Sequence, residues 1–157
     1  EITRLILERF GHVDAIAGVA TGAIPQGALV ADALNLPFVY VRSTPKDHGL
    51  ENLIEGELRP GMKVVVVEDL ISTGGSSLKA VEAIRRDGCE VIGMVAAYTY
   101  GFPVAEKAFK DAKVPLVTLT NYEAVMEVAL RTGYIEEEDV ETLNEWRKDP
   151  AHWESGK

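Results

Sequence analysis

Four consecutive valines, Val64-Val65-Val66-Val67, form the centre of the strongest strand pattern in the chain, which runs from Met62 to Asp69. β-Branched residues at every position, rather than at alternate ones, call for burial on both faces. That is the condition of a central strand in a parallel sheet covered by helices. Shorter strand-like runs at about 13–20, 38–42, 89–98 and 116–119 alternate with helical spacing at about 1–10, 25–35, 76–87, 102–112, 121–132 and 136–148. The repeated order predicts an α/β fold with a mostly parallel sheet flanked by helices on both faces. With 157 residues, a single domain is expected. Pro25 suits a first helical position, where its missing N–H is not needed.

The valine run ends in Glu68-Asp69, followed by Leu70-Ile71-Ser72-Thr73-Gly74-Gly75-Ser76-Ser77 and a helical stretch. A Gly-rich turn opening a helix presents successive backbone N–H groups at the positive end of the helix dipole, a site for a phosphate monoester. Thr73, Ser76 and Ser77 can add hydroxyl donors. Two carboxylates beside a phosphate would repel it, but they suit vicinal ribose hydroxyls or a magnesium ion shared with them. A competing reading makes Ser72 or Ser76 an ordinary N-cap and leaves the acids facing water. No Gly-Lys-Ser/Thr follows, so this is not a nucleotide P-loop, and no Gly-x-Gly-x-x-Gly marks a dinucleotide fold.

Composition narrows the class of partner. Sixteen basic against 25 acidic residues leave a net charge of −9, which argues against a chain built to grip nucleic acid along a basic face. A single cysteine, Cys89, excludes an internal disulfide framework and a Cys-rich zinc site, and a reducing, cytoplasmic setting follows. No secretory segment or bilayer-spanning run is evident. The chain opens at Glu1 inside a helical pattern, so a preceding segment is expected.

Between Ser43 and Pro60 no periodicity holds, and a stretch of that length inside a compact domain reads as a functional lid, with a β-hairpin conceivable at its base. It carries Arg42, Lys46 and His48 in the order Arg-x-x-x-Lys-x-His-Gly.

The segment Val64 to Ser76 resembles the phosphoribosyl-diphosphate signature of type I phosphoribosyltransferases, and Tyr40 to Gly49 resembles the catalytic loop of the orotate branch. Gly18-Val19-Ala20-Thr21-Gly22-Ala23-Ile24-Pro25 is similar to the family's diphosphate-binding turn, and the ending from Leu119 to Pro150 also looks like the orotate branch. The resemblance implies transfer of a phosphoribosyl group from 5-phosphoribosyl 1-diphosphate to orotate, with Mg2+ as cofactor. It implies that Glu68 and Asp69 hold the ribose hydroxyls, with a possible share in magnesium binding. Ser72, Thr73, Gly74, Gly75 and Ser76 would anchor the 5′-phosphate, and Thr21 and Gly22 would face the diphosphate. Arg42, Lys46 and His48 would act on the diphosphate of a neighbouring subunit, which makes a homodimer the expected active unit. Catalysis would fall to Lys46, His48 and Asp69.

The chain departs from that pattern in places. The family's upstream hood over the base is missing, Ser43 and Gly22 stand where some members carry lysine, and 96–101 lacks an arginine that some members use on the base. Tyr98 or Tyr100 could serve the base or the core. A transferase for uracil or a purine, a non-catalytic nucleotide- or RNA-binding regulator, and a structural member of the fold remain as alternatives.

Overall fold

The computed structural model describes residues 1–44 and 53–153. Six strands, β1 (Ala15–Val19), β2 (Phe38–Val41), β3 (Ile54–Glu55), β4 (Lys63–Ile71), β5 (Glu90–Thr99) and β6 (Leu116–Asn121), form one sheet in the order β3-β2-β1-β4-β5-β6. All neighbours run parallel except β2 and β3, which pair antiparallel through Tyr40 with Glu55 and Val41 with Ile54. The aperiodic segment after Arg42 thus springs from a closed hairpin base, and Arg42 N–H donates to the Leu53 carbonyl at 2.8 Å.

All four valines of β4 are fully buried, and they divide by the alternation of side chains along a strand. Val65 and Val67 pack with Ile16 against α1 (Ile2–Arg9) and α2 (Ala23–Leu34). Val64 and Val66 pack on the opposite face with Ala80, Val81 and Ile84 of α3 (Gly75–Arg86) and Phe109 of α4 (Pro103–Asp111). The expected α/β sandwich is therefore present, and the valine run needs both of its layers.

Two compact units divide the chain, Glu1–Asn121 and Tyr122–Lys157. The first holds the sheet and α1 to α4. The second comprises α5 (Tyr122–Arg131), α6 (Glu137–Lys148) and a short 3-10 turn, Pro150–His152. Tyr122 organises it: its hydroxyl donates to the Leu143 carbonyl at 2.9 Å, and its ring stacks on Trp146. The Arg147 guanidinium lies 4.7 Å from the ring centroid and reaches Glu123 at 2.7 Å. The acidic run Glu136 to Glu138 starts α6, where the Asp139 carboxylate accepts the Glu136 N–H at 2.9 Å.

Two boundaries beside the site differ from expectation. α2 begins at Ala23, so Pro25 is its third residue; the first four helical N–H groups lack intrahelical acceptors, and proline is tolerated there as well. β4 continues through Leu70 and Ile71, because β5 is long enough to pair them with Tyr98 and Thr99. Among the described residues no helix is long and apolar enough to cross a membrane.

Candidate active site

β1 leads outward to β2, and β4 leads outward to β5 and β6 on the other side, so the chain reverses direction between β1 and β4. α2 leaves β1 on one face of the sheet and α3 leaves β4 on the other. A crevice opens where such connections part, at the carboxyl ends of the strands. Both predicted phosphate-facing turns lie at that point.

The turn after β4 meets α3 at Gly74, whose φ of +82° is the left-handed region that glycine enters without penalty. A Cβ there would also stand 2.8 Å from the Phe109 ring. No side chain caps α3, and no acid occupies its first turn. The opening amides of the helix are thus left for an anion. Thr73, Gly75 and Ser76 are exposed beside them, and Ser72 is half-buried. Neither Ser72 nor Ser76 caps the helix, so the ordinary N-cap reading does not hold.

The turn after β1 behaves alike. The Ala20–Thr21 peptide is cis, Thr21 and Gly22 are exposed, and Gly22 heads α2 without a side-chain cap. At φ −61° and ψ −36° Gly22 needs no special backbone. Its reason is contact: a Cβ would fall 1.7 Å from Oδ2 of Asp69. The lysine that some relatives of similar pattern carry here has no room while Asp69 keeps this orientation.

The two acids separate. Alternation sends Glu68 toward α3, where it is 4% exposed, and Asp69 toward the α2 turn, where it is exposed. Glu68 accepts the Ser77 hydroxyl at 2.8 Å on one oxygen and the Asp69 N–H at 3.0 Å on the other. Burial pushes its pKa up to about 7 and the Asp69 carboxylate adds to the rise, against the Ser77 hydroxyl and the Asp69 amide. Asp69 accepts the Leu70 N–H at 2.7 Å, and its carboxylate is also within hydrogen-bonding reach of the Glu68 carboxyl. Asp69 is the exposed acid of the two, while Glu68 is held by Ser77.

Arg42 follows β2 and donates to Glu55 of β3 at 3.3 Å. Lys46 and His48 lie outside the described residues. At the end of β5, beside Leu70 and Ile71, half-buried Tyr98, Tyr100 and Phe102 form an aromatic group. Tyr98 meets Tyr100 edge-on at 5.1 Å, and Tyr100 stacks on Phe102 at 5.3 Å.

The sequence profile of the phosphoribosyl transferase domain matches residues 1–131. The chain belongs to the phosphoribosyltransferase family. It is 95% identical over 157 residues, all of this chain and 74% of the relative, to an orotate phosphoribosyltransferase of Bacteroides fragilis. It is 94% identical, with the same coverage, to an orotate phosphoribosyltransferase of Bacteroides thetaiotaomicron. Among solved structures, an orotate phosphoribosyltransferase from Aeropyrum pernix matches at a TM-score of 0.71 and 32% identity, covering 86% of this chain and 76% of that one.

The structure sets the two turns named from the sequence at the ends of the adjacent strands β1 and β4, and it adds supporting contacts that the sequence did not reveal. Ser77 reads from sequence as one more hydroxyl donor for phosphate, yet it is 1% exposed and bonds Glu68. The signal was present: Ser77 lies three, four and seven residues before Ala80, Val81 and Ile84, on the buried stripe of α3.

The donor chemistry fits magnesium carried by the substrate. Among the described residues no group of three or more His, Cys, Asp or Glu side chains is placed to hold a metal. Magnesium is commonly bound through one or two carboxylates plus substrate phosphates, and exposed Asp69 offers one such carboxylate.

Two stability effects follow. Gly74→Ala forces a left-handed φ on alanine and drives its methyl into Phe109, an expected loss of about 1–3 kcal/mol in urea unfolding. Unchanged stability would mean that the turn can be rebuilt. For Glu68, a folded pKa of about 7 against an ordinary 4.5 means that the native state binds more protons between those values. Its contribution is therefore fully present below pH 4.5 and is lost as pH rises through 7. Glu68→Gln removes that titration, so its stability relative to the parent protein should improve steadily from pH 5 to pH 8, by up to about 3 kcal/mol. Parallel pH curves for the two proteins would show that Glu68 titrates normally.

Proposed function

We infer that the chain is an orotate phosphoribosyltransferase, a pentosyl-transferring enzyme of pyrimidine (UMP) biosynthesis. It converts orotate and 5-phosphoribosyl 1-diphosphate to orotidine 5′-monophosphate and diphosphate. The observation that carries this reading is the pairing, at the switch point of the sheet, of two uncapped helix N-termini with the exposed Asp69 between them. That arrangement fits a ligand with a phosphate at each end and hydroxyls in the middle. The near-identical relatives supply the base.

In the proposed reaction the C1′–O bond to diphosphate breaks ahead of formation of the bond from C1′ to orotate N1. The N1 proton passes to diphosphate or solvent. Asp69 takes the ribose hydroxyls, with Glu68 fixing its backbone amide. Thr73 to Ser76 take the 5′-phosphate at the α3 N-terminus, and Thr21 and Gly22 present the α2 N-terminus to the diphosphate. Arg42, Lys46 and His48 neutralise the leaving group, Lys46 or His48 donating a proton to it, as cations closing over a developing anion lower the barrier. The Asp69 carboxylate would share a substrate-bound Mg2+, which would supply positive charge to the diphosphate. Orotate is already an anion, so no strong base is required. Tyr98 and Tyr100, half-buried at the end of β5, are the side chains proposed to meet the base.

The proposed unit is one catalytic core over residues 1–157, working in the cytoplasm. The family match runs through residue 131, past the boundary between the two compact units. A homodimer is proposed, with the segment of about 43–60 reaching the neighbouring site. Subunit mixing tests it: two inactive variants, one in each contributing part, should regain activity together.

The deciding experiment follows orotate absorbance in the presence of phosphoribosyl diphosphate and magnesium, with uracil and hypoxanthine as competing bases. Magnesium-dependent consumption of orotate alone, lost in Lys46→Ala, is expected. Consumption of another base instead would overturn the assignment.

A further inference from the structure

Beside the phosphate turn lies a recess of about 230 Å³ that joins both arms of the site. It is lined by Ala20 from the α2 turn, Arg42 and Ser43 from the end of β2, and Gly75, Ser76 and Lys79 from α3. Lys79 stands three residues after Ser76, so the two project on the same side of the helix. It is exposed and enters no ion pair among the described residues, in a chain with nine more acidic than basic side chains. Lys63, Lys110 and Lys113 also lack ion pairs among the described residues, but of these lysines only Lys79 lines the recess.

Stability does not explain the position. A cation belongs near the negative, carboxyl end of a helix, where α3 already carries Arg85 and Arg86. Lys79 is instead close to the positive end, which lacks both an acid and a cap. A cation in the second turn of α3, on the rim of this recess and across from Arg42, whose guanidinium also reaches Glu55, is placed for an anionic group that enters between them.

We propose that Lys79 is a substrate-binding residue whose ammonium contacts a phosphate group of the phosphoribosyl substrate in this recess. The inference rests on the transferase reading, and it assigns to α3 a charge that the turn after β1, with Gly22, does not provide. A 5′-phosphate keeps its charge through the chemical step, so Lys79 on that group binds ground state and transition state alike. Its removal then acts on KM rather than kcat, whereas a contact with the leaving diphosphate would lower kcat as well.

The test uses the full chain as parent protein, Lys79→Gln and Lys79→Arg. Lys79→Gln should raise KM for phosphoribosyl diphosphate about tenfold, as loss of one partly exposed charge-assisted hydrogen bond does. For a contact with the 5′-phosphate it should leave kcat within about twofold and KM for orotate unchanged, and Lys79→Arg should recover most of the loss. Calorimetric binding of ribose 5-phosphate and of inorganic diphosphate then separates the two phosphate sources: the ligand whose affinity falls is the one that Lys79 holds. Equal KM for phosphoribosyl diphosphate in the parent protein and Lys79→Gln would overturn the inference while leaving the transferase intact. A parent protein that binds phosphoribosyl diphosphate but consumes no orotate would overturn the assigned reaction, and the binding arm would still judge Lys79. If the parent protein binds neither substrate nor fragments, both fail.

Discussion

Asp69→Asn lowers kcat about 10²–10³-fold, the range seen when one preorganised electrostatic contact to a transition state is removed. The amide keeps the shape of the side chain and can still accept the Leu70 N–H that Asp69 holds at 2.7 Å. What is lost is negative charge. As the C1′–O bond lengthens, positive charge builds on the ribose, and an anionic acceptor on its hydroxyls gains more there than in the ground state. The loss should therefore appear mainly in kcat, with a smaller change in KM for phosphoribosyl diphosphate. Steady-state kinetics decides it: a variant within about threefold of the parent kcat would remove Asp69 from the reacting centre.

The second large effect comes from a residue that bears no functional group. Gly22→Ala lowers kcat/KM about 10–10²-fold, because small misplacements of a reacting group are that costly. Its new methyl would occupy the space of the Asp69 carboxylate, which lies 1.7 Å from the position of a Cβ. The backbone of Gly22, at φ −61° and ψ −36°, accepts alanine, so thermal unfolding should hardly move. The cause is tested by a double-mutant cycle. If the methyl acts by displacing Asp69, then Gly22→Ala adds little to Asp69→Asn, whereas independent effects would multiply. Multiplication would place the role of Gly22 in the diphosphate turn itself.

The two acids show how far local sequence carries. Glu68-Asp69 reads as a pair with one task. In the structure they serve opposite faces of β4: Glu68 is buried with Ser77, and Asp69 is exposed against Gly22. Period-two alternation predicts the split once β4 is known to continue through Ile71. The sequence alone suggested a turn from Leu70, because nothing local shows that β5 is long enough to pair Leu70 and Ile71. Strand ends depend on the neighbour, not only on the strand.

The α/β class, the parallel valine strand and the Gly-rich turn that opens a helix after it were legible in the sequence, since each rests on periodicity or on a short contiguous motif, whereas the reading of the turn after β1 rested on its resemblance to the family. The 3-10 turn, the length of β4 and the partners of the site residues were not. Ser77 bonding Glu68, Asp69 against Gly22, Phe109 under Gly74, and Lys79 sharing a recess with Arg42 join residues from 9 to 47 positions apart. Such contacts are set by the strand order and by the side of the sheet on which each helix packs. Local propensity decided what each segment is; only the assembled sheet, by bringing the ends of β1 and β4 side by side, decided which side chains meet.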